Sequence, residues 1–197
     1  MVPASPAPME SSRLILRLVE VGDLPALFEV YSDDEVTRFL PNPTWKTPAD
    51  GQVWFDRILK RRAEGSALEL AIVEKATGLA IGVCLLFAFE EASGRAEMGY
   101  VLGRRHWRSG LMKEALSTLL DFAFRNLGLR KVEAHTDPVN IPSGEILLRL
   151  GFTREGLLRQ HAMIKGELKD KQVYGILRQE WEVRRAGTSL PPAAAGG

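Results

Sequence analysis

Residues 98–116, MGYVLGRRHWRSGLMKEAL, lead from a strand-like run through a short basic turn directly into an amphipathic helix. Apolar residues recur along this helix at helical spacing, which predicts a helix over residues 110–127 that packs one face on a sheet. Residues 131–136 then alternate between apolar and polar, as a strand does. Two strands joined by one helix run parallel in a sheet, so this segment predicts an α/β (α+β) fold.

The turn before the helix has the chemistry of an anion site. The first amides of a helix have no partner inside it, and the macrodipole places partial positive charge there, which favours phosphate. Arg104, Arg105 and Arg108 surround Gly110, and guanidinium groups bind phosphate oxygens through paired donors. The turn therefore predicts a phosphate-binding loop. The alternative is an ordinary solvated turn at the start of a surface helix.

The rest of the pattern predicts one domain over residues 13–183. The predicted strands occupy residues 13–18, 68–73, 81–89, 96–102, 131–136, 153–163 and 172–179. The second, third and fourth of these strands are joined by tight turns into an antiparallel meander, so we expect a mixed, mostly antiparallel sheet of about seven strands flanked by helices. Residues 1–12 and 184–197 are rich in Pro, Ala, Gly and Ser without periodicity, which is typical of flexible tails.

Composition argues against several classes of protein. The chain has 197 residues, 45% of them hydrophobic, which is enough to bury a core without a metal or a disulfide. Its net charge is +1 with both signs interspersed, so neither a nucleic-acid groove nor a basic membrane-surface helix is indicated. Cys84 lies in a strand pattern, and three histidines without ligand spacing do not indicate zinc. With no membrane-spanning or signal-like run, we expect a cytoplasmic protein.

A second segment, residues 140–152 or NIPSGEILLRLGF, has the order of a capped helix. Asn140 suits an N-cap, Pro142 suits the first turn where its missing amide is not needed, and Gly151 suits the C-terminal end. The apolar residues between them fall on one helical face. Taken alone, the segment predicts a capped core helix.

Together the two segments resemble the GCN5-related N-acetyltransferase (GNAT) superfamily, most closely its RimJ/RimL-like branch. In this family a strand is followed by a Q/R-x-x-G-x-G/A turn and a helix that bind acyl-CoA, and an N-x-x-S…L-x-x-L-G-F element follows downstream. The resemblance covers about residues 13–181. Met112 replaces the last small residue of the turn, so its side chain must turn away from the pyrophosphate if its amide is to bind it.

The resemblance implies that the sheet splays open between strands 96–102 and 131–136 to admit acetyl-CoA as co-substrate. Backbone amides of Tyr100, Val101 or Leu102 would hold the pantetheine and polarise the thioester carbonyl. Asn140 would lie near the pantetheine arm. The full set of implied cofactor-binding residues is Tyr100, Val101, Leu102, Arg104, Arg105, Trp107, Arg108, Ser109, Gly110, Leu111, Met112, Lys113, Asn140 and Ser143.

The implied reaction is aminolysis of a thioester, which needs a neutral amine, a donor to the oxyanion and a proton for the departing thiolate, but no metal. The resemblance implies Ser143 as the proton donor to the thiolate. Two residues are candidates for the general base: Glu97, one pleat from the cofactor site, and His161, because histidine titrates near neutrality. For Glu97 the alternative is a solvent-facing surface glutamate.

The resemblance implies that the acceptor is a primary amine, and in particular the amino terminus of a protein, as in the ribosomal-protein acetyltransferases. The branch also implies two alternatives: a small amine such as an antibiotic or a polyamine, and a non-catalytic acyl-CoA-binding module. Trp45, in a proline-rich loop, is a candidate for substrate binding if it is exposed, and a core residue if it is not. Because relatives commonly dimerise, a homodimer is a further expectation from the resemblance.

Overall fold

The computed structural model describes residues 6–187. Its elements follow the predicted alternation of strands and helices. In chain order they are β1 (Met9–Glu10), β2 (Leu14–Leu18), α1 (Leu24–Tyr31), α2 (Asp34–Thr37), α3 (Pro48–Ala63), β3 (Ala67–Glu74), β4 (Ala80–Glu90), β5 (Arg95–Leu102), α4 (Leu111–Arg125), β6 (Lys131–Thr136), α5 (Ile141–Leu150), β7 (Thr153–Ile164), β8 (Glu167–Leu177) and α6 (Arg178–Arg185).

The strands form one open sheet in the order β1-β2-β3-β4-β5-β6-β8-β7. Every neighbouring pair is antiparallel except β5 and β6, which are joined through α4 and run parallel. The predicted mixed, mostly antiparallel sheet is therefore confirmed, together with its meander and its parallel pair. The strand beyond the predicted seven is β1, whose two residues pair with β2 inside the segment predicted to be a tail.

Each face of the sheet carries its own hydrophobic core, because alternate residues of a strand point to opposite faces. Helices α4 and α5 cover one face, here called the α4 face, where they pack on residues such as Leu70, Ile72 and Met98. Helices α1 and α3 cover the other face, here called the α1 face, where they pack on residues such as Ala71 and Val101. Because β3 is buried on both sides, its residues from Ala67 to Val73 are apolar on both faces except for Glu69, which is buried and paired with Arg61 at 2.9 Å.

The C-terminal end departs from the prediction. The pattern predicts a strand to residue 179, but β8 ends at Leu177 and α6 begins at Arg178. The carboxylate of Glu180 accepts a hydrogen bond from the amide of Leu177 at 2.8 Å, which starts the helix, and Trp181 packs into the core of the α4 face. Residues 1–5 and 188–197, the remainder of the two predicted tails, lie outside the described residues.

Two residues of β4 support the strand that borders the site. Cys84 is buried in its middle, and burial raises the pKa of its thiol to about 12, so it is a core residue and not a nucleophile, as predicted. Gly82 lies where β4 and β5 approach most closely, since a Cβ at this position would lie 2.3 Å from the carbonyl oxygen of Val101. A side chain here would therefore push β5 away from β4.

Candidate active site

The parallel strands β5 and β6 part near their middle. They pair only from Arg95 to Glu97 on β5, opposite Lys131 to Glu133 on β6. Beyond Glu97, β5 continues to Leu102 while paired with β4 alone. The sheet is therefore splayed where the resemblance implies, and the open side of β5 borders a gap between its two faces.

The direction of the backbone groups on β5 decides which amides face this gap. The amide of Gly103 donates to the carbonyl of Ile81 on β4 at 2.9 Å, and bonded pairs alternate along an antiparallel ladder. The backbone of Val101 thus points to β4, while Tyr100 and Leu102 present theirs to the gap. In agreement, the indole nitrogen of Trp107 donates to the carbonyl of Leu102 from the gap side at 2.7 Å. Of the three backbone amides that the resemblance implies, those of Tyr100 and Leu102 therefore face the gap, and that of Val101 does not.

On the α4 face, a pair of hydroxyl groups reaches the gap. The hydroxyl oxygens of Tyr100 and Ser143 lie 2.7 Å apart, and that of Tyr100 is also 3.2 Å from the carbonyl of Ser143. Burial raises the pKa of the Tyr100 phenol, so this group keeps its proton at neutral pH. Ser143 on α5 is therefore within hydrogen-bonding distance of a second hydroxyl, that of Tyr100 on β5. The sequence had suggested only the backbone amide of Tyr100 as a donor.

Helix α5 begins beside this pair. Asn140 occupies the N-cap position, as predicted, but its side chain makes no capping hydrogen bond. The turn before it is held instead by Asp137, whose carboxylate accepts from the amide of Val139 at 3.0 Å. The carboxamide of Asn140 is thus left available to a bound molecule.

The turn before α4 has the conformation of an anion cradle. Gly110, the N-cap of α4, has φ +79°, a left-handed conformation that favours glycine. Leu111 and Met112 are directed into the core of the α4 face, and Met112 is only 9% exposed. Its side chain therefore leaves the outer side of the turn open. Lys113 is exposed in the first turn, and the hydroxyl of Ser109 lies 3.4 Å from the amide of Leu111.

Two of the three predicted phosphate-binding arginines pair with carboxylates of the α1 and α2 segment. Nε of Arg104 lies 2.8 Å from Oδ2 of Asp33, and Nη1 of Arg105 lies 3.4 Å from Oε2 of Glu29. Within residues 6–187, Arg108 is exposed and has no carboxylate partner. Of the three arginines, Arg108 is therefore the one that can bind an anion without first breaking an ion pair.

A fourth arginine at the turn was missed by the sequence analysis. Arg13 donates to the carbonyl of Ser109 at 3.1 Å and forms an ion pair with Glu114 at 2.7 Å. It lies 101 residues before Glu114, so no local pattern indicates the contact. This pairing ties the start of β2 to the first turn of α4 and braces the loop that Gly110 ends.

On the α1 face, Glu97 lies where the two strands part. Across the parallel pair it is opposite Glu133, which is bound by Arg95 at 2.6 Å and by Lys131 at 2.8 Å. Burial of Glu97, and secondarily the charge of Glu133, raise its pKa to about 6. A carboxyl group with this pKa is ionised near neutrality and still able to hold a proton, which suits a general base.

Next to Glu97 are two histidines. Nδ1 of His135 on β6 lies 3.7 Å from Oε1 of Glu97, and the rings of His135 and His161 are 6.1 Å apart and nearly perpendicular. The register of β7 against β8 shifts between Leu158 and Ala162, so His161 lies in an irregular stretch of its strand. The structure thus unites the two rival base candidates in one cluster through His135. The alternation of residues 131–136 places His135 on the face of Glu133, but only the tertiary register brings it to Glu97.

Of the two alternatives for Trp45, a substrate-binding residue if exposed and a core residue if not, the structure shows the core residue. Its side chain is 4% exposed and lies in the core of the α1 face. The indole stacks on Tyr31 with ring centroids 4.6 Å apart and meets Trp54 edge-on at 5.4 Å. The fold needs this aromatic surface to cover the sheet, so Trp45 joins the loop to α1 and α3 and presents no ring to a substrate.

Among residues 6–187, no helix combines the length and hydropathy that crossing a bilayer requires. Over the same residues, no group of three or more His, Cys, Asp or Glu side chains is arranged to hold a metal ion.

Comparison with known proteins agrees with this geometry. The family model described as Acetyltransferase (GNAT) domain matches residues 13–153. The uncharacterized N-acetyltransferase p20 of Bacillus licheniformis is 36% identical over 171 residues, covering 87% of this chain and 96% of that protein. The [ribosomal protein uS5]-alanine N-acetyltransferase of Escherichia coli is 26% identical over 182 residues, covering 88% and 92%.

Solved structures show the same fold. A GCN5-related N-acetyltransferase from Brucella melitensis superposes with a TM-score of 0.84 at 26% identity, covering 93% of this chain and 85% of that one. Spermidine N-acetyltransferase from Vibrio cholerae, in complex with CoA and spermine, superposes with a TM-score of 0.75 at 20% identity, covering 87% and 99%. The chain therefore belongs to the GNAT family of acetyltransferases, as its two sequence motifs predict.

Proposed function

We propose that this protein transfers the acetyl group of acetyl-CoA to the amino terminus of a protein. One observation carries the catalytic part of the proposal. The hydroxyl pair of Tyr100 and Ser143 lies on the α4 face and the cluster around Glu97 on the α1 face, and the two sets border the gap that opens beyond the last pairing of β5 with β6. This arrangement brings a thioester and an amine together from opposite sides of the sheet.

The roles follow from this placement. The amine nitrogen attacks the thioester carbon, the C–N bond forms, and the carbonyl oxygen takes negative charge, which the amides of Tyr100 and Leu102 stabilise. Glu97 removes the proton from the nitrogen. The C–S bond then breaks, the carbonyl reforms, and the thiolate takes a proton from Ser143, which Tyr100 supports by hydrogen bonding. Ser143 regains its proton from water before the next turnover. The products are an amide and CoA with a free thiol.

Positioning supplies much of the rate in such a reaction, because well-oriented reactants reach effective molarities of about 10⁵ M or more. A protein amino terminus has a pKa of about 8, so a fraction is neutral at physiological pH and a carboxylate with a raised pKa suffices as base. The relative that acts on ribosomal protein uS5 aligns over nearly the whole of both chains, which supports this acceptor. A polyamine acceptor is the alternative, supported by the fold shared with spermidine N-acetyltransferase.

Isothermal titration with acetyl-CoA tests the first step. We expect a dissociation constant of about 10⁻⁶ M, and a loss of about tenfold on Arg108→Ala, since a charge-assisted hydrogen bond contributes about 1.5–3 kcal/mol. Lys60→Ala, an exposed change on α3, serves as the control. If Arg108→Ala weakens acetyl-CoA and dephospho-CoA equally, Arg108 binds the pyrophosphate; an unchanged affinity for both would remove Arg108 from the cradle.

Turnover then separates the proposed acceptors. We expect acetylation of a peptide that begins with alanine and none of the same peptide with a blocked amino terminus. Preference for spermidine would replace the proposed acceptor by the alternative. Tight binding of acetyl-CoA without turnover of any amine would instead support the non-catalytic acyl-CoA-binding module.

Ser143→Ala is expected to lower kcat by about tenfold to a hundredfold with little change in acetyl-CoA affinity, because proton transfer to the leaving group matters only in the transition state. Ser93→Ala, which removes a hydroxyl from the turn between β4 and β5, is the matched control. Single-turnover kinetics measure the chemical step directly. An unchanged rate constant for this step would exclude Ser143 as the proton donor and leave Tyr100 as the candidate.

A further inference from the structure

Glu97, His135 and His161 form a row that leads from the gap to solvent. Glu97 and His135 are 24% and 19% exposed, and Oε1 of the one lies 3.7 Å from Nδ1 of the other. His161 follows with its ring centroid 6.1 Å from that of His135, and it is exposed. The three residues come from β5, β6 and β7, and β8 lies between the last two strands in the sheet, so no sequence pattern reveals the row.

A base in this position needs an outlet for its proton. In the proposed function, Glu97 receives one proton from the acceptor amine in each turnover and must lose it before the next. Three-quarters of its side chain is covered, and an amine bound at the gap would cover part of the rest. His135 lies between Glu97 and the exposed His161 in this row, and its two ring nitrogens can accept a proton and donate one.

The charges that face the row keep His135 able to accept this proton. Glu133 on β6 is bound by Arg95 and Lys131, while Lys171 on β8 and His161 on β7 complete the surroundings. Burial, opposed by the charge of Glu133, lowers the pKa of His135, so its imidazole is neutral near pH 7. A neutral imidazole has one ring nitrogen free to accept.

We propose that His135 relays the proton from Glu97 to His161 and from there to solvent. The proton leaves the carboxyl group of Glu97, Nδ1 of His135 binds it, and Nε2 of the same ring releases its own proton toward His161, so the imidazole stays neutral. Exchange of ring protons with water then frees Nδ1 for the next turnover. The distance of 3.7 Å exceeds a hydrogen bond, and a small side-chain rotation closes it. This inference rests on the proposed function, and His135 acts through Glu97 as a positioning residue.

His135→Gln tests the relay in the full-length protein. We expect kcat to fall about tenfold or more, the KM for acetyl-CoA to stay within about twofold, and free imidazole to restore kcat in the variant but not to change the wild type. His161→Gln, at an exposed position that does not endanger folding, should give a smaller loss with the same rescue. If the wild type is active and His135→Gln is equally active, the relay is overturned. The same holds if His135→Gln loses kcat and imidazole does not restore it. Neither result contradicts the proposed function. A wild type that acetylates no amine overturns the proposed function itself.

A second measurement does not depend on turnover. Titration of the histidine side chains by NMR, in wild type and in Glu97→Gln, reports whether the two groups interact. Removing the negative charge of Glu97 removes stabilisation of the imidazolium, so the pKa of His135 should fall in the variant. Glu64→Gln, an exposed change at the end of α3, should leave it unchanged. An identical titration of His135 in wild type and Glu97→Gln overturns the contact on which the relay depends.

Discussion

Glu97→Gln lowers kcat by about 10²-fold or more near neutral pH, while the affinity for acetyl-CoA stays the same. The expected size is that of a lost general base, which contributes about 10²–10⁴-fold. Glutamine keeps the shape of the side chain but cannot accept the proton of the amine. Steady-state kinetics with a peptide acceptor and titration with acetyl-CoA measure the two quantities separately, and Glu64→Gln on the surface is the control for the chemical change.

The pH dependence of kcat in the wild type is a second test of Glu97 as the general base. The base must be ionised to work, and the pKa of Glu97 is raised to about 6 by burial and by Glu133. We therefore expect kcat to rise as the pH increases through about 6, and this rise to be absent in Glu97→Gln. A profile without that rise, or a variant that retains it, would return Glu97 to the role of a surface glutamate and favour His161 as the base.

Trp45→Ala is expected to destabilise the protein by about 3–5 kcal/mol, the usual cost of removing a large buried aromatic side chain. Trp45 is 4% exposed and contacts Tyr31 and Trp54, so alanine leaves a cavity that these rings cannot fill. Urea unfolding at constant m-value measures the loss. Trp107→Ala, which truncates a tryptophan that is 44% exposed, should cost only about 1 kcal/mol for its bond to Leu102.

The conservative change Trp45→Phe separates the structural role from substrate selection. Phenylalanine keeps most of the aromatic contact, so the variant should fold and keep the acceptor preference of the wild type. A changed ratio of kcat/KM values between peptide and spermidine would show that Trp45 reads the acceptor in spite of its burial. A loss of stability below about 1 kcal/mol in Trp45→Ala would contradict its place in the core.

Local patterns predicted most of the fold because helical and strand periodicities are properties of short segments. The strand-turn-helix of residues 98–116 appears as β5 and α4, and residues 140–152 contain α5. The predicted strand of residues 172–179 runs two residues too far, because Glu180 accepts the amide of Leu177 and α6 begins at Arg178. The prediction also did not include β1, since two residues are too few to show a period.

The sequence by itself determined the family, and it predicted the turn before α4 as an anion cradle and Glu97, Ser143 and His161 as candidate catalytic residues. Motif spacing is a local property, and it carries this information without the fold. Only the tertiary structure decided which groups meet. The register of β5 with β6 sets His135 beside Glu97, the splay sets Tyr100 against Ser143, and the packing of two helices buries Trp45. These contacts join residues far apart in the chain, and their geometry follows from strand pairing and burial rather than from any local pattern.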